Sequence, residues 1–355
     1  MIDLTRSTAA STQVQTVATD PGVFWTKDAP VAIEAPPDHD TAPDPAATWS
    51  ADAVRTGICG AVGPRVIALP KGGYRIYYSQ MLPRPGFPAG ANDYANCTTR
   101  ILSAFSIDGN SWQPESGVRL SSYQGGAQDF RVVSSEVVPL RGGDGLRMYY
   151  ECCIGGQAET NAIRSAVSTD GGLNWTVEPG ARLSVPGHNY SSPRILFLSD
   201  GRWRLYCLER DHSGNGQGII SAISEDGGTT FQREPGVRIS QDTAEDALVA
   251  FASEIVRLND GQLIMYYAGY SNPKHASILR ATSGDEGLTW TKHSHPVLAP
   301  DHHRWDHAKA SEMCIYRLPS SVDAAPRYRM VYEACDGTAV NKRGVWRIAS
   351  ASTHG

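Results

Sequence analysis

Several signals are missing from this sequence, and each absence removes a class of function. Its seven cysteines are an odd number and include no Cys-x-x-Cys pair, so neither a disulfide framework nor a thiolate zinc site is signalled. No stretch of 18 apolar residues occurs, and Met1 to Asp20 is rich in Thr, Ser and Ala without an apolar h-region. That argues against a membrane span and a secretory signal, and makes cytoplasmic residence the expectation. The 32 basic residues face 37 acidic ones at a net charge of −5, with no run of like charge long enough to track a polyanion. Neither nucleic acid nor membrane is therefore an expected partner, and the oligomeric state is left open. Cys207 and Cys314 fall in predicted strands and read as core. The adjacent Cys152 and Cys153 close a strand, where a thiol could reach a pocket, although buried cysteine is more often inert packing.

What the sequence does contain is a repeated phrase. Ser106-Ile-Asp108-Gly109-Asn-Ser-Trp112 recurs as Ser168-Thr-Asp170-Gly-Gly172-Leu-Asn-Trp175, Ser224-Glu-Asp226-Gly-Gly228-Thr-Thr-Phe231 and Ser283-Gly-Asp285-Glu-Gly287-Leu-Thr-Trp290. The aspartates lie 62, 56 and 59 residues apart, the signature of a repeated supersecondary unit. Within each copy, Ser and Asp accept or share hydrogen bonds with nearby amides, Gly permits positive φ, and the aromatic packs beneath the turn. The phrase is structural on this reading, and Asp108, Asp170, Asp226 and Asp285 are not catalytic candidates.

The text around each phrase repeats as well. Glu136-Val-Val-Pro-Leu140, Leu146-Arg-Met-Tyr-Tyr150, Ala162-Ile-Arg-Ser-Ala-Val167 and the segment from Trp175 to Leu183 read as four short antiparallel strands. A four-stranded sheet repeated radially is a propeller blade. The C-terminal Trp346-Arg-Ile-Ala-Ser-Ala-Ser352 matches a third strand with no fourth after it, while Trp25-Thr-Lys-Asp-Ala-Pro30-Val-Ala-Ile33 nearly copies Trp290-Thr-Lys-His-Ser-His-Pro296-Val-Leu298. The expected fold is all-β: a five-bladed β-propeller with four antiparallel strands per blade, the last blade closed by the N-terminal strand. One domain spans 1–355, with 1–20 flexible and the Pro-rich stretch 34–56 a long loop suited to cover a site.

Loop lengths choose the functional face. Aspartate turns occupy one face, and the other receives the long loops, with seven of the ten histidines in or beside them: His39, His188, His212, His275, His302, His303 and His307. Near the axis, Pro64, Glu136, Pro193, Glu254 and Glu312 read as matched strand starts. Three glutamates in one channel would repel, raising a pKa or demanding a cation. Arg65 and Arg194, each following a proline, would then be structural partners or an anion clamp. Asp129, Asp246 and Asp306 lie just upstream of the channel, and Glu151, Glu209 and Glu333 end second strands on the same rim. Any two of these could form a general acid and base across a bound sugar, Asp129, Glu209 and Asp306 being the first choices. Tyr190, Tyr270, Trp305 and Arg210, with His188 and His212, are candidate substrate contacts. A competing assignment gives His307, His188 and His212 a transition metal, or the acidic channel a divalent ion.

The Ser-x-Asp-x-Gly-x-x-Trp phrases resemble the Asp-box (BNR) repeats of the sialidase superfamily, and the blade count resembles the five-bladed glycosidases of the arabinanase, xylosidase and invertase type. The resemblance spans nearly the whole chain as architecture and implies a glycoside hydrolase-like enzyme acting on a glycan or similar polar small molecule. It also implies an aspartate base at the opening of blade one, where this chain reads Ile58-Cys-Gly-Ala-Val-Gly-Pro64 without an acid. Asp129 and Glu209 are similar in placement to that family's other two acids. Two further readings remain: a metal-dependent hydrolase, lyase or isomerase in the same pocket, and a non-catalytic glycan-binding propeller.

Overall fold

The computed structural model describes residues 18–34, 60–83, 97–121, 131–140, 143–153, 161–211, 213, 216–318, 327–337 and 345–353. Asp129, His39, His212, and most of the segments 1–20 and 34–56 lie outside the described residues.

Five four-stranded antiparallel meanders follow one another along the chain. After a short strand β1 (Thr26–Lys27), the first meander comprises β2 (Gly60–Ala68), β3 (Tyr74–Pro83), β4 (Cys97–Ser106) and an outer strand in two pieces, β5 (Gln113–Pro114) and β6 (Leu120–Ser121), both paired with β4. The second comprises β7 (Arg131–Pro139), β8 (Leu146–Cys153), β9 (Asn161–Ser168) and β10 (Thr176–Val177). The third comprises β11 (His188–Phe197), β12 (Trp203–Asp211), β13 (Gly216–Ser224) and β14 (Gln232–Arg233). The fourth, entered through a single 3-10 turn at Ala244–Asp246, comprises β15 (Val249–Arg257), β16 (Leu263–Asn272), β17 (His275–Ser283) and β18 (Thr291–Lys292). The fifth has β19 (Lys309–Arg317), β20 (Tyr328–Cys335) and β21 (Trp346–Ser352), and β1 completes it, Thr26 pairing with Ser352 and Lys27 with Ala351.

The first strands β2, β7, β11, β15 and β19 each pack on the next, and β19 packs on β2, so the ring closes on itself. Closure of this kind removes long open edges and buries both faces of each sheet, as the buried strands β7 and β19 show.

Blades are stitched by one recurring bond. Tyr77, Tyr149 and Tyr206 each donate their hydroxyl to the glycine carbonyl of the next blade's aspartate turn, at Gly172 (3.0 Å), Gly228 (2.8 Å) and Gly287 (2.9 Å). Tyr316 does the same to Gly109 at 2.7 Å, across the junction of blades five and one. The remaining junction uses Tyr266, which donates to Gly22 at 2.7 Å. Gly22 belongs to Ala18-Thr-Asp20-Pro-Gly22-Val-Phe-Trp25, a fifth copy of the turn phrase that is hard to recognise because Ala18 replaces the serine. Trp25 meets Tyr266 edge-on at 6.1 Å, as Trp175 meets Tyr77 at 5.9 Å and Trp290 meets Tyr206 at 6.1 Å. Side chains are excluded at these glycines: a Cβ on Gly172, Gly228 or Gly287 would stand 2.0 Å from the tyrosine hydroxyl, at positive φ.

The turns themselves follow the sequence reading. In the second, Ser168 donates to Asp170 (2.8 Å) and accepts from the Gly172 amide (2.9 Å), while Asp170 accepts from the amides of Leu173 and Asn174. Desolvation is the largest single influence and raises the Asp170 carboxyl, but the donors together outweigh it and hold the group below the usual carboxylate range. No helix among the described residues is long and apolar enough to cross a membrane.

Candidate functional site

The site is built by a bulge that repeats in every axial strand. Pairing skips two residues between Val62 and Arg65, Val133 and Glu136, Ser191 and Arg194, and Phe251 and Glu254. In each, the first skipped residue is left-handed: Gly63 (φ 60°), Ser134 (54°), Ser192 (53°) and Ala252 (54°). Only Gly63 adopts this conformation without a Cβ penalty, so the same strain is imposed three times by the ring. The fifth strand skips a single residue, Glu312, between Ser311 and Met313.

This register revises the matched positions expected from sequence. Arg65, Glu136, Arg194 and Glu254 are equivalent, and the fifth position belongs to Cys314, paired with Val331, whereas Glu312 sits in the bulge. The prolines are not the equivalents of the glutamates. Around the axis, the Arg65 guanidinium lies 2.8 Å from both Glu136 and Glu254, and Arg194 lies 3.5 Å from Glu254. Glu136 also accepts from the Ile195 amide at 3.3 Å. Arg65, Arg194, Glu136 and Glu254 thus neutralise one another as a structural plug, which leaves no arginine clamp there. Burial pushes the neighbouring Cys314 thiol up to about 12, so it stays protonated and apolar in character.

Above the plug opens a cavity of about 450 Å³, within the usual size of a small-molecule site. Its acids are Glu312, Glu333 and Glu151. Glu312 accepts from Ser134 (3.0 Å) and from Arg194 (3.3 Å). Glu333 accepts from the Gly63 amide and from Ser311, each at 2.8 Å. Burial and the adjacent Glu312 together push Glu333 up to about 8. Burial also raises Glu312, against the pull of Arg194. Two acids this close titrate as a pair, so one proton stays in the site at neutral pH. Glu151, which accepts from Asn161 at 2.9 Å, holds in blade two the register position of Glu333 in blade five: both pair with the residue just before the bulge. Those two blades flank blade one, so the two carboxyls enter the cavity from either side of it.

Aromatic rings and a cation complete the wall. Tyr270 tilts against Phe251 at 5.5 Å, and the Lys309 ammonium lies 5.1 Å from the Tyr270 ring and 5.3 Å from the Trp346 ring. Burial, with Glu333 nearby, raises the Tyr270 hydroxyl, which keeps it a hydrogen-bond donor. Lys309, Phe251, Trp346 and the two asparagines Asn161 and Asn189 escape sequence inspection because none belongs to a motif. The one usable signal is that Lys309 begins an axial strand.

Of the residues expected from sequence, the cavity gathers Glu151, Glu312, Glu333, Arg210, Tyr190 and Tyr270. Glu209 is absent from it. Glu209 pairs with Tyr190, one residue beyond the level occupied by Glu151, and a one-residue offset in a strand sends the side chain to the other face. There Arg233 grips it at 2.9 and 2.8 Å and Tyr190 donates to it at 3.0 Å. Burial would raise this carboxyl, but the Arg233 bonds outweigh it and hold the group low. His188 stacks on Tyr190 and lies 3.6 Å from Glu209.

Asp306 is buried outside the cavity, where it takes the Lys27 ammonium and the Tyr332 hydroxyl (3.0 Å). Asp246 in blade four is held in the same way by Lys292 (2.6 Å) and Tyr267 (3.2 Å). The copied Trp-Thr-Lys segments therefore deliver equivalent lysines to equivalent aspartates, an anchor for the fourth strand. Trp305 and His307 line a separate, open groove with His302 and His303. His307 thus does not converge with His188. No group of three or more His, Cys, Asp and Glu side chains placed to hold a metal occurs among the described residues. Cys152 and Cys153 are buried away from the cavity.

No family model matches this chain, and no curated protein does. Solved structures share its fold. A thermostable family-43 glycoside hydrolase is 18% identical, with a TM-score of 0.63 over 86% of this chain and 92% of that one. An N-acetylgalactosamine deacetylase from F. plautii, solved in complex with blood group B trisaccharide, is 17% identical, with a TM-score of 0.62 over 91% and 95%. The endo-arabinase of Bacteroides thetaiotaomicron is 13% identical, with a TM-score of 0.60 over 83% and 94%.

Proposed function

We propose that this protein is a glycosidase-like hydrolase that cleaves a carbohydrate bound in the axial cavity. One observation carries the reading: Glu333 is buried, hydrogen-bonded and still protonated near neutral pH, in a cavity with a second carboxyl, Glu151, entering from the far side of blade one. Glycoside hydrolysis needs a proton donor on one side of the glycosidic bond and a carboxylate on the other. Glu333 is assigned as the acid and Glu151 as the opposing carboxylate. Glu312 keeps the Glu333 proton in place through like charge, and Arg194 stabilises Glu312. Phe251, Tyr270 and Trp346 offer the flat apolar surfaces on which sugar rings rest. The family-43 glycoside hydrolase of the same fold supports the assignment, and the trisaccharide bound to the N-acetylgalactosamine deacetylase supports a carbohydrate ligand.

A panel of aryl glycosides and oligosaccharides tests it. Hydrolysis by the wild type, with turnover lost in Glu333→Gln and Glu151→Gln variants that fold normally, is the expected result. Full turnover in both variants would remove the assignment.

A further inference from the structure

Blades two and three contribute a wall to the same cavity that the catalytic assignment leaves unused. Arg210 lines it, half-buried. Among the described residues its guanidinium makes no hydrogen bond and no ion pair, while the other arginines of the cavity region, Arg65, Arg194 and Arg233, are each matched to carboxylates. An arginine held at a cavity wall without an acid is a vacant partner for an anion, because guanidinium binds carboxylate through paired, charge-assisted bonds.

Two buried amides stand beside it. Asn189 is the cross-strand partner of Arg210, so both side chains share one face of the sheet. Its carbonyl oxygen accepts from the Asn161 amide at 2.8 Å, and its side-chain nitrogen has no partner among the described residues. Asn161 donates to Glu151, and its own carbonyl oxygen is buried with no partner. Asn161 is only 7% exposed, and an unsatisfied carbonyl at that depth is costly unless a ligand completes it. The wall therefore offers a cation and an amide donor for an acidic group, and a carbonyl for a hydroxyl. Of the cavity acids, Glu333 carries its proton at neutral pH and Arg194 faces Glu312, which leaves the Glu151 carboxylate, bonded to Asn161, to be offset by the positive charges of Arg210 and Lys309.

We infer that the substrate is an acidic glycan, whose sugar places a carboxylate on Arg210 and Asn189 and a neighbouring hydroxyl on Asn161. This rests on the hydrolase reading for its reaction, but binding can be measured without it. Calorimetric titration of the Glu333→Gln protein with hexuronic acid oligosaccharides, with oligosaccharides ending in an α-keto sugar acid, and with neutral counterparts separates the cases. Acidic ligands of one type should bind at least tenfold more tightly than neutral ones, with affinity falling as salt rises. Arg210→Gln should weaken acidic binding about 10- to 100-fold, the worth of a lost charged pair, and leave neutral ligands unaffected. Arg210→Lys should recover part of the loss. In turnover assays the same substitution should raise KM for the acidic substrate and spare kcat. Equal affinity for neutral and acidic sugars, no binding of either acidic class, or an Arg210→Gln effect shared by all ligands would each overturn the inference. Hydrolysis of neutral glycosides alone would overturn it and leave the hydrolase reading standing. Tight acidic binding with no turnover by the wild type would do the reverse.

Discussion

At the level of Arg65, Glu136, Arg194 and Glu254, two guanidinium groups and two carboxylates meet on the axis. One step toward the cavity, Glu312 and Glu333 meet with Arg194 reaching only the first. The first layer comes from β2, β7, β11 and β15 and the second from β19 and β20, yet the four carboxyls Glu136, Glu254, Glu312 and Glu333 are all buried, so burial alone does not separate structure from chemistry. The difference is charge balance. Matched charges form a plug whose worth lies in not being broken, while mismatched ones retain a proton that can be given away. Glu312 stands at the bulge position that Gly63, Ser134, Ser192 and Ala252 hold in the other four strands, which puts a carboxyl beside Glu333 in the second layer.

Removing the mismatched acids should have the largest effect. Glu333→Gln and Glu151→Gln should each lower kcat/KM by about 10²- to 10⁴-fold, the usual contribution of a positioned acid or base, with no lowering of the melting temperature at neutral pH. If either variant melts early in proportion to its lost activity, that residue belongs with the plug instead. Next comes the plug itself. Arg65→Met leaves Glu136 and Glu254 short of a partner and should cost about 3–5 kcal/mol in urea unfolding. A cost below roughly 1 kcal/mol would mean the axial charges are solvated and the contrast is false.

A smaller effect is the pH dependence of stability. Glu333 titrates at about 8 when folded against an ordinary 4.5, so the folded chain holds a proton that the unfolded chain has released. Its stabilising contribution is complete below about pH 4.5 and is lost as pH rises through about 8. Glu333→Gln should thus gain stability relative to wild type between pH 5 and pH 9, by a few kcal/mol at most. An identical difference at both pH values would count against a buried, protonated Glu333. Glu312→Gln sharpens the comparison further: removing the like charge should move the alkaline limb of the rate profile to lower pH, by about one unit. A limb that stays put would show that the two acids do not communicate. Least of all should change in Glu209→Gln, whose turnover is expected to match wild type because its carboxyl faces Arg233 rather than the cavity.

Much of the architecture was legible because it depends on local chemistry. Each Ser-x-Asp-Gly turn needs its hydroxyl, carboxylate and positive φ within a few residues, so the phrase survives as readable text. The Trp-Thr-Lys copy likewise foretold that β1 closes the last blade. The candidate site was legible only in part. Glu151, Glu312, Glu333, Arg210, Tyr190 and Tyr270 were within reach, since rim positions follow from strand order. Glu209 misled because one residue of offset in a strand reverses its face, and Asp306 because a carboxylate before a strand looks the same whether it meets solvent or Lys27.

By itself the sequence determined the repeat, the number of sheets and the way the ends of the chain join, because these rest on contacts between residues close in the chain or on an evident copy. Only the tertiary structure decided which acids are neutralised and which are not. That depends on which residue each bulge presents and on Arg65 and Arg194 arriving from other blades. Electrostatic energy is set by distances of a few ångströms between residues as far as 189 positions apart, and no spacing along the chain encodes it.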